Sequence, residues 1–500
     1  MMNEVLTEIL PILPVILPLT GAMVAWFLRR WQRSQGWFSL GVMGLSLLSS
    51  VLLLATVWQA ETPLVYLAGD WPVPYGIVLV ADLLAVTLLL MSQLVLFLGL
   101  LYALGAKDRC IRYPSFYPLF LLLATGLSGA FLTGDLFNLY VFAELVVISG
   151  TVLTAISDDR YGTEAAYKYF YMSLVASAFL LLAVGVLYVS YGTLNMADLA
   201  ARIADKPDMP LLPAGVALLM ATFMVKSAVF PFHFWQPDFH TAAPTAVSAM
   251  LSSVVVKLGV YGFLRMTTLL FVAQAPTIQA VLVVLGVVGI IFGGLSAIGT
   301  HNAKRMLAYS TLAQVGFILV GVGWGTPLAL AAAIVFAFNH SLVKAGMLML
   351  AGAIASRAPV KTAAFEVVTG LGKALPVLLA LLFFVGSLAL SGIPPTNGFI
   401  GKLLLFESGI GAEQWLALAL IGVSSVLTLV YTMRAFMRIW WQPPAGEVKP
   451  KAGDQLLAPS LLMLLVVVLG VYAEPLVRLA SDTSAWLGNP AGYIQAVLGG

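Results

Sequence analysis

Charge is what this chain of 500 residues has least of: only 9% are Asp, Glu, Lys or Arg. A soluble domain carries about a quarter. That shortage, with 61% apolar residues, excludes an ordinary soluble enzyme, a secreted disulfide scaffold and a disordered chain. Basic clusters are missing too. With 25 basic and 22 acidic residues the formal net charge is +3, which gives nucleic acid nothing to bind. A single cysteine, Cys110, excludes internal disulfides and any cysteine-based zinc or iron–sulfur site. No His, Cys, Asp or Glu cluster has metal-ligand spacing. No phosphate loop or nucleophile motif appears, so neither metal nor cofactor is expected. What the chain does have is apolar runs long enough to cross a bilayer, repeated from end to end.

A helix needs about 20 apolar residues to cross the hydrocarbon core. Windows of that size predict fourteen spans, near 6–28, 37–58, 77–104, 116–133, 135–156, 165–191, 213–232, 242–268, 278–298, 304–323, 327–355, 375–408, 413–436 and 457–477. The runs are continuous rather than alternating, so strands are not expected. The polar stretches near 192–212, 356–374 and 437–456 read as loops. The first run lacks a basic leader and a small-residue cleavage site, and reads as a retained helix. Basic residues set the orientation. Arg29, Arg30 and Arg33 follow span 1, Lys107, Arg109 and Arg112 follow span 3, and similar groups follow spans 5, 9, 11 and 13, seventeen in all. The other side holds Arg202, Lys206, Arg265 and Arg478. This division predicts both termini outside the cell.

The remaining four lysines, Lys226, Lys257, Lys344 and Lys402, fall inside predicted spans, and Glu144 lies in the run from Leu136 to Ile156. A charge at mid-membrane costs about 2.5–3.5 kcal/mol and marks a functional site by default. Five cost more than ~10 kcal/mol on that additive scale, so accident is a poor account of them. Snorkelling or static pairing is the plain alternative. It suits Lys304 and Arg305, at the start of a span, better than the central five. Low dielectric favours the neutral forms of lysine and glutamate, and an approaching opposite charge restores the ions. A Glu–Lys pair that opens and closes is therefore a two-state proton switch. Glu144 with Lys226 is the expected pair, and the other lysines would carry the proton onward.

Local context supports that reading. Span 7 reads Lys226-Ser-Ala-Val-Phe-Pro231, and Pro231 both lacks an amide donor and crowds the Ser227 carbonyl. Span 12 reads Ser391-Gly-Ile-Pro394-Pro395-Thr-Asn-Gly398, with Lys402 a turn later. Broken helices persist in a membrane only where protein or a wet cavity satisfies the freed backbone. Two breaks five spans apart point to inverted five-helix repeats around a transport site; a packing kink is the alternative. Ser253 precedes Lys257 by one turn. His340 and Lys344 share a helix face, and histidine titrates near pH 6.5, so a relay is expected there. Ser310 and Gln314 share a face of span 10. His233, His240 and His301 fall at helix ends or loops and read as proton uptake groups or plain surface.

Several stretches resemble the antiporter-like membrane subunits. They are Thr133-Gly-Asp-Leu-Phe-Asn-Leu-Tyr-Val-Phe-Ala-Glu144, the run from Lys226 to Trp235, Ala243-Pro-Thr245 with Lys257, His340-Ser-Leu-Val-Lys344, and Ser391 to Pro395 with Lys402. The family comprises the Mrp multisubunit cation/proton antiporter, the proton-pumping subunits of respiratory complex I, and membrane-bound hydrogenases. Span 5 and the length are most similar to the D-type Mrp subunits. The C-terminal extensions of the A-type subunit and the terminal complex I pump are not expected here. Lys402 leans away from the middle complex I pump, which typically has an acid at that position.

The resemblance implies an all-α polytopic fold of about fourteen membrane helices. Two inverted five-helix repeats, spans 4–8 and 9–13, would have spans 7 and 12 broken at Pro231 and at Pro394 and Pro395. Residues 1–110 would hold spans 1–3, residues 111–270 the first repeat, residues 271–440 the second, and residues 441–500 span 14 and a tail. It implies that Glu144 and Lys226 form the coupling pair, with Lys257, His340, Lys344 and Lys402 continuing the proton path. Span 10, the counterpart of span 5, has no acid, so the coupling would be polarised. The expected function is proton translocation within a bacterial cell-membrane antiporter for Na+ or another monovalent cation, with partners of the Mrp A, B, C, E, F and G type. The alternative is a pump subunit of a redox complex. Only Glu144, Asp135 and scattered hydroxyls offer oxygen ligands, so the cation is expected to pass mainly elsewhere in the complex.

Overall fold

The computed structural model describes residues 8–157, 159–444 and 451–499. Helices α1 (Leu13–Phe27) and α2 (Gln32–Ala60) come first, then strands β1 (Leu64–Leu67) and β2 (Val78–Ala81). Four helices follow: α3 (Leu83–Gly105), α4 (Phe116–Leu132), α5 (Leu136–Ala155) and α6 (Arg160–Tyr191). A short helix α7 (Met196–Asp205) precedes α8 (Leu212–Lys226) and α9 (Trp235–Ala242). Then come α10 (Thr245–Leu270), α11 (Ala275–Ile298), α12 (Ala303–Trp324) and α13 (Pro327–Arg357). The chain continues through α14 (Val377–Ser391), α15 (Asn397–Gly411) and α16 (Trp415–Trp440), and ends with α17 (Leu457–Val471), α18 (Glu474–Leu487) and α19 (Pro490–Leu498).

Among the described residues ten helices are long and apolar enough to cross a membrane, or eleven if α17 and α18, bent by 76°, count as one span. Three more, α4, α8 and α14, are apolar but shorter. The polar residues between them are spent on helix ends. Asp82, Asp135, Asp159, Asn302 and Thr326 each accept an amide N–H at the start of the helix that follows. Two helices are interrupted. Pro231 lies in the gap between α8 and α9, and Pro394 and Pro395 lie between α14 and α15. Burial is uneven. The most apolar window of α10 is 100% buried and that of α13 is 94%, against 39% for α2, α6, α11 and α16. The centre of the bundle is therefore α10 against α13, with α12 (89% buried) and α3 (83%) packed around them and α2, α6, α11 and α16 on the outside.

The loops after alternate helices gather at one end. There Lys361 pairs with Asp108 at 2.9 Å, Arg305 with Asp238 at 3.0 Å, and Arg357 and the Lys107 amide both reach Asp454. This end is the basic face; Lys449, assigned to it from sequence, lies outside the described residues. The opposite end carries the hairpin, α7 and the tail. Gly134 donates to the Val78 carbonyl there, and Leu136 to that of Leu194.

Two expectations need correction, and the C-terminal tail gains detail. Strands do occur: β1 and β2 pair antiparallel, Leu64 opposite Ala81, and at four residues each they are too short to alternate visibly. The stretch 192–212 is not all loop, because Met196, Leu199, Ala200 and Ile203 bury one face of α7. The tail after span 14 folds into α18 and α19.

A buried row of lysines and histidines as the candidate site

Lys257 on α10 and His340 on α13 are both buried, and Lys257 Nζ lies 2.6 Å from His340 Nδ1. The π-helical turn Leu251–Val255 ends two residues before Lys257. Such bulges cluster at functional sites. Lys344, one turn beyond His340, donates instead to the Leu307 carbonyl at 3.0 Å, and Ser341 donates to the Ser253 carbonyl at 2.8 Å. Lys344 therefore shares His340's helix face without joining the Lys257 contact.

His340 Nε2 has no protein partner. His340 lines a small cavity of about 10 Å³ together with Gln314, Asn339 and Lys402. A water needs roughly 10–15 Å³ and two to four polar partners, so this cavity beside His340 and Lys402 is at the lower limit for a single water. Lys402 Nζ donates to the Ser391 carbonyl at 2.9 Å, Ser425 Oγ at 3.0 Å and the Leu390 carbonyl at 3.2 Å. It also lies 5.1 Å above the Phe317 ring. The break before α15 is tied to the same place: Asn339 and Asn397 exchange hydrogen bonds of 2.9 and 3.0 Å. Of the span 10 pair, Gln314 lines the cavity, whereas Ser310 accepts from Tyr431 at 2.8 Å.

The other end of the row is open. Glu144, midway along α5, accepts a hydrogen bond from Ser177 on α6. Lys226 is the last residue of α8, and its buried Nζ has no hydrogen-bond partner. It lines a cavity of about 10 Å³ with Ala143, Tyr169, Ser173 and Trp235. The two groups are within electrostatic reach but not in contact.

A wide vestibule of about 710 Å³ opens on the basic face, lined by Lys107, Asp108, Asp159, Thr245, Lys304 and Lys361 among others. Burial alone would raise the Asp108 carboxyl, but the Lys361 ammonium and the Cys110 amide hold it below the usual carboxylate range. His240 lies beneath this mouth and is wholly buried, so it is not plain surface. Ser248 Oγ is 3.4 Å from its Nδ1, and its Nε2 has no partner. His233 is half-buried against Phe230 and Phe292.

Arg265 is the clearest miss of the sequence reading. It is not a surface charge of the opposite face. It is buried in α10 and grips Asp82 with two hydrogen bonds, Nη1 to Oδ2 at 2.6 Å and Nη2 to Oδ1 at 2.7 Å. Tyr261 and Tyr493 flank the guanidinium. The signal was present, since Asp82 and Arg265 both fall within predicted spans, of opposite sign and able to cancel.

The sequence matches the family described as NADH:quinone oxidoreductase/Mrp antiporter, TM, over residues 133–428. This chain belongs to that family. It is therefore a multi-pass membrane protein. It is 34% identical over 493 residues to the D-type subunit of the Na(+)/H(+) antiporter of Bacillus subtilis, covering 97% of this chain and 99% of that one. It is 36% identical over 501 residues to the N-type subunit of the NADH-quinone oxidoreductase of Desulforudis audaxviator, covering 94% and 97%. Among solved structures it resembles a chain of the Mrp complex from Dietzia sp. DQ12-45-1b, with a TM-score of 0.89, 26% identity and 99% of each chain covered. Every stretch from Glu144 to Lys402 lies inside the matched family region.

Proposed function

We propose that this chain is the proton-translocating subunit of a multisubunit antiporter exchanging protons for Na+ or another monovalent cation. Glu144, Lys226, Lys257, His340, Lys344 and Lys402 would form its path. The observation that carries the reading is the Lys257–His340 contact opening onto a cavity shared with Lys402. At 2.6 Å one nitrogen must offer a proton and the other a lone pair. When Lys257 donates to Nδ1, the neutral imidazole holds its own proton on Nε2. Transfer from Lys257 then leaves both ring nitrogens protonated, and Nε2 can release a proton to a water in the cavity and so to Lys402. Lys226 acts upstream. Its unpartnered ammonium is stabilised when Glu144 exchanges Ser177 for Lys226, and that exchange is the switch.

Several features support the wider picture. Counting α17 with α18 as one span, and adding α4, α8 and α14, the last two completed across their breaks by α9 and α15, takes the total to fourteen. The two breaks then stand at equivalent places in two inverted five-helix repeats. The basic face would be cytoplasmic by the positive-inside tendency, with both termini outside a bacterial cell membrane. The full-length match to a D-type antiporter subunit favours a hetero-oligomer with A-, B-, C-, E-, F- and G-type subunits. A second reading, the pump subunit of a redox-driven complex, is favoured by the match to an N-type NADH-quinone oxidoreductase subunit.

Ion flux in vesicles holding the whole complex, then the complex without this chain, tests the function. Loss of sodium-coupled proton movement only when the chain is missing supports it. Flux that requires an electron donor and quinone supports the second reading. For orientation, cysteines at Ser34, Asp108 and Gly446 should label only from the cytoplasm, and one at Asp208 only from outside. Burial pushes the native Cys110 thiol up to about 12, which keeps it unreactive at neutral pH. Gly446 lies outside the described residues, and its labelling from outside would break the fourteen-helix count.

A further inference from the structure

The basic face has a second opening that takes no part in the proton row. A pocket of about 490 Å³ is lined by Arg357, Lys373, Ala374, Leu375, Pro376 and Lys451. Three of these side chains are cations and none is an acid. Among the described residues the neighbouring carboxylate is that of Asp454, which is buried and already accepts from Tyr102 and the Lys107 amide. Among the described residues no carboxylate forms an ion pair with Arg357, Lys373 or Lys451. Lys451 donates to the Ala358 carbonyl at 3.3 Å and Arg357 to the carbonyls of Ala353 and Asp454, each at 2.9 Å. Those contacts hold Lys451 and Arg357 in place without neutralising them.

The pocket sits where headgroups meet hydrocarbon. Pro376 caps the N-terminus of α14, a helix of 15 residues whose first turn leaves amide N–H groups without helical acceptors. From that point α14 turns an apolar stripe outward: Val377 is 76% exposed and Leu381 59%, with Leu378 between them. Trp440 and Trp441 close the adjoining end of α16, and Trp440 packs against both the Gly372 turn and Phe383. Tryptophans at a helix end mark the interfacial belt. A trio of unpaired cations, a helix N-terminus and an outward apolar stripe beginning one residue beyond it match a phosphate headgroup with its acyl chains running down α14.

We propose that this pocket binds the headgroup of an anionic phospholipid. Basic pockets at the membrane surface hold such headgroups at about 1 kcal/mol per lysine or arginine. The site would also brace transport, because α14 runs from this pocket to Ser391, whose carbonyl holds Lys402. The proposal itself does not depend on the proton reading, since its readout is lipid retention.

The test uses the purified full chain in its native complex, delipidated and then mixed with vesicles of phosphatidylcholine alone or containing phosphatidylglycerol. Retained lipid is counted by native mass spectrometry. Wild type should retain phosphatidylglycerol selectively. The double variant Lys373→Gln/Lys451→Gln should lose about fivefold per lysine, whereas Lys373→Arg/Lys451→Arg should keep binding. Both lysines are at the surface, so neither change threatens the fold. Equal retention of the two lipids, or an unchanged glutamine variant, overturns the proposal. Inorganic phosphate supplied alone should not compete; if it displaces phosphatidylglycerol, the pocket belongs to a soluble anion and the lipid assignment fails.

Discussion

Lys226 and Lys402 each stand beside a break between two half-helices, and their nitrogens are held in opposite ways. An ammonium has three donors. Lys402 finds three acceptors, two of them the carbonyls of Leu390 and Ser391 at the end of α14. Lys226 finds none. The cause lies in the backbone. A helix end leaves its last carbonyls without partners. Lys402 lies past its gap, on α15, and reaches back to two such carbonyls. Lys226 lies before its gap, as the last residue of α8. The chain leaving α8 uses those carbonyls itself: Ser227 takes Phe223, Val229 takes Met224 and Ala228 takes Val225. One break builds a cradle for a cation and the other removes it. A buried charge stripped of partners costs several kcal/mol, so Lys226 depends on Glu144 and Lys402 does not. On the proposed mechanism the first lysine acts as the switch and the second as a resting place.

The strongest way to break this comparison is to remove the switch. Glu144→Ala or Lys226→Ala should each lower cation/proton exchange in vesicles by at least about a hundredfold, within the range of a lost proton-transfer group. Assembly should persist, because a stranded lysine or glutamate can neutralise in place. Exchange at the wild-type rate, with normal amounts of complex, would show that neither residue couples anything.

Next comes the resting place. Lys402→Ala should block turnover. Lys402→Arg should fail too: arginine can satisfy the carbonyls of Leu390 and Ser391 but never gives up its proton. Lys402→His should recover part of the rate, since it titrates near neutrality. Exchange measured against pH for the three variants separates a relay from a static cation. Full activity in the arginine variant would sink the relay.

A third buried cation sharpens the contrast. Arg265 is fully paired, yet it pairs with an acid rather than with carbonyls. Arg265→Ala should therefore destabilise the protein by about 3–5 kcal/mol, because the buried Asp82 carboxylate loses its counter-charge and keeps only the Ala85 amide. The double variant Asp82→Asn/Arg265→Ala, which keeps an acceptor for the Ala85 amide, should recover much of that loss. Thermal unfolding in detergent reads both. A double variant no more stable than the single one would mean that the pair acts through packing against Tyr261 and Tyr493.

How much of this the sequence displayed depends on the kind of feature. The long helices were legible because about 20 apolar residues in lipid admit little else. The membrane lysines stood out for the same reason. Pro231, Pro394 and Pro395 marked the gaps, because a missing amide is a local property. What stayed hidden was pairing. His340 could be placed beside Lys344 by helical spacing, but its closest contact is Lys257, 83 residues away. Arg265 was counted with the charges of the opposite side because Asp82, its partner, is 183 residues off. Ser177, which engages Glu144, carries no signal in a run of small and apolar residues. The hairpin and α7 were lost because pieces this short barely alter a window tuned to about 20 residues.

The smallest expected effect lies at the vestibule, where an acid is paired without being sealed from water. Asp108 faces Lys361 at 2.9 Å, but the Lys361 side chain is 54% exposed. A pair so open to solvent contributes less than about 1 kcal/mol. Asp108→Asn tests it cleanly, because asparagine can still cap the turn at the Cys110 amide, 3.1 Å away. The sign follows from the carboxyl being held below its ordinary value. A group lowered on folding contributes above its unfolded pKa, about 3.9 for aspartate, and loses that contribution as the pH falls through the folded value. The gap in unfolding temperature between wild type and Asp108→Asn should therefore be small and constant from about pH 8 to 5, then close below about pH 4. A gap that survives at lower pH would assign Asp108's role to shape rather than charge. It would also leave the vestibule without the electrostatic contrast to Lys226, whose Nζ has no hydrogen-bond partner.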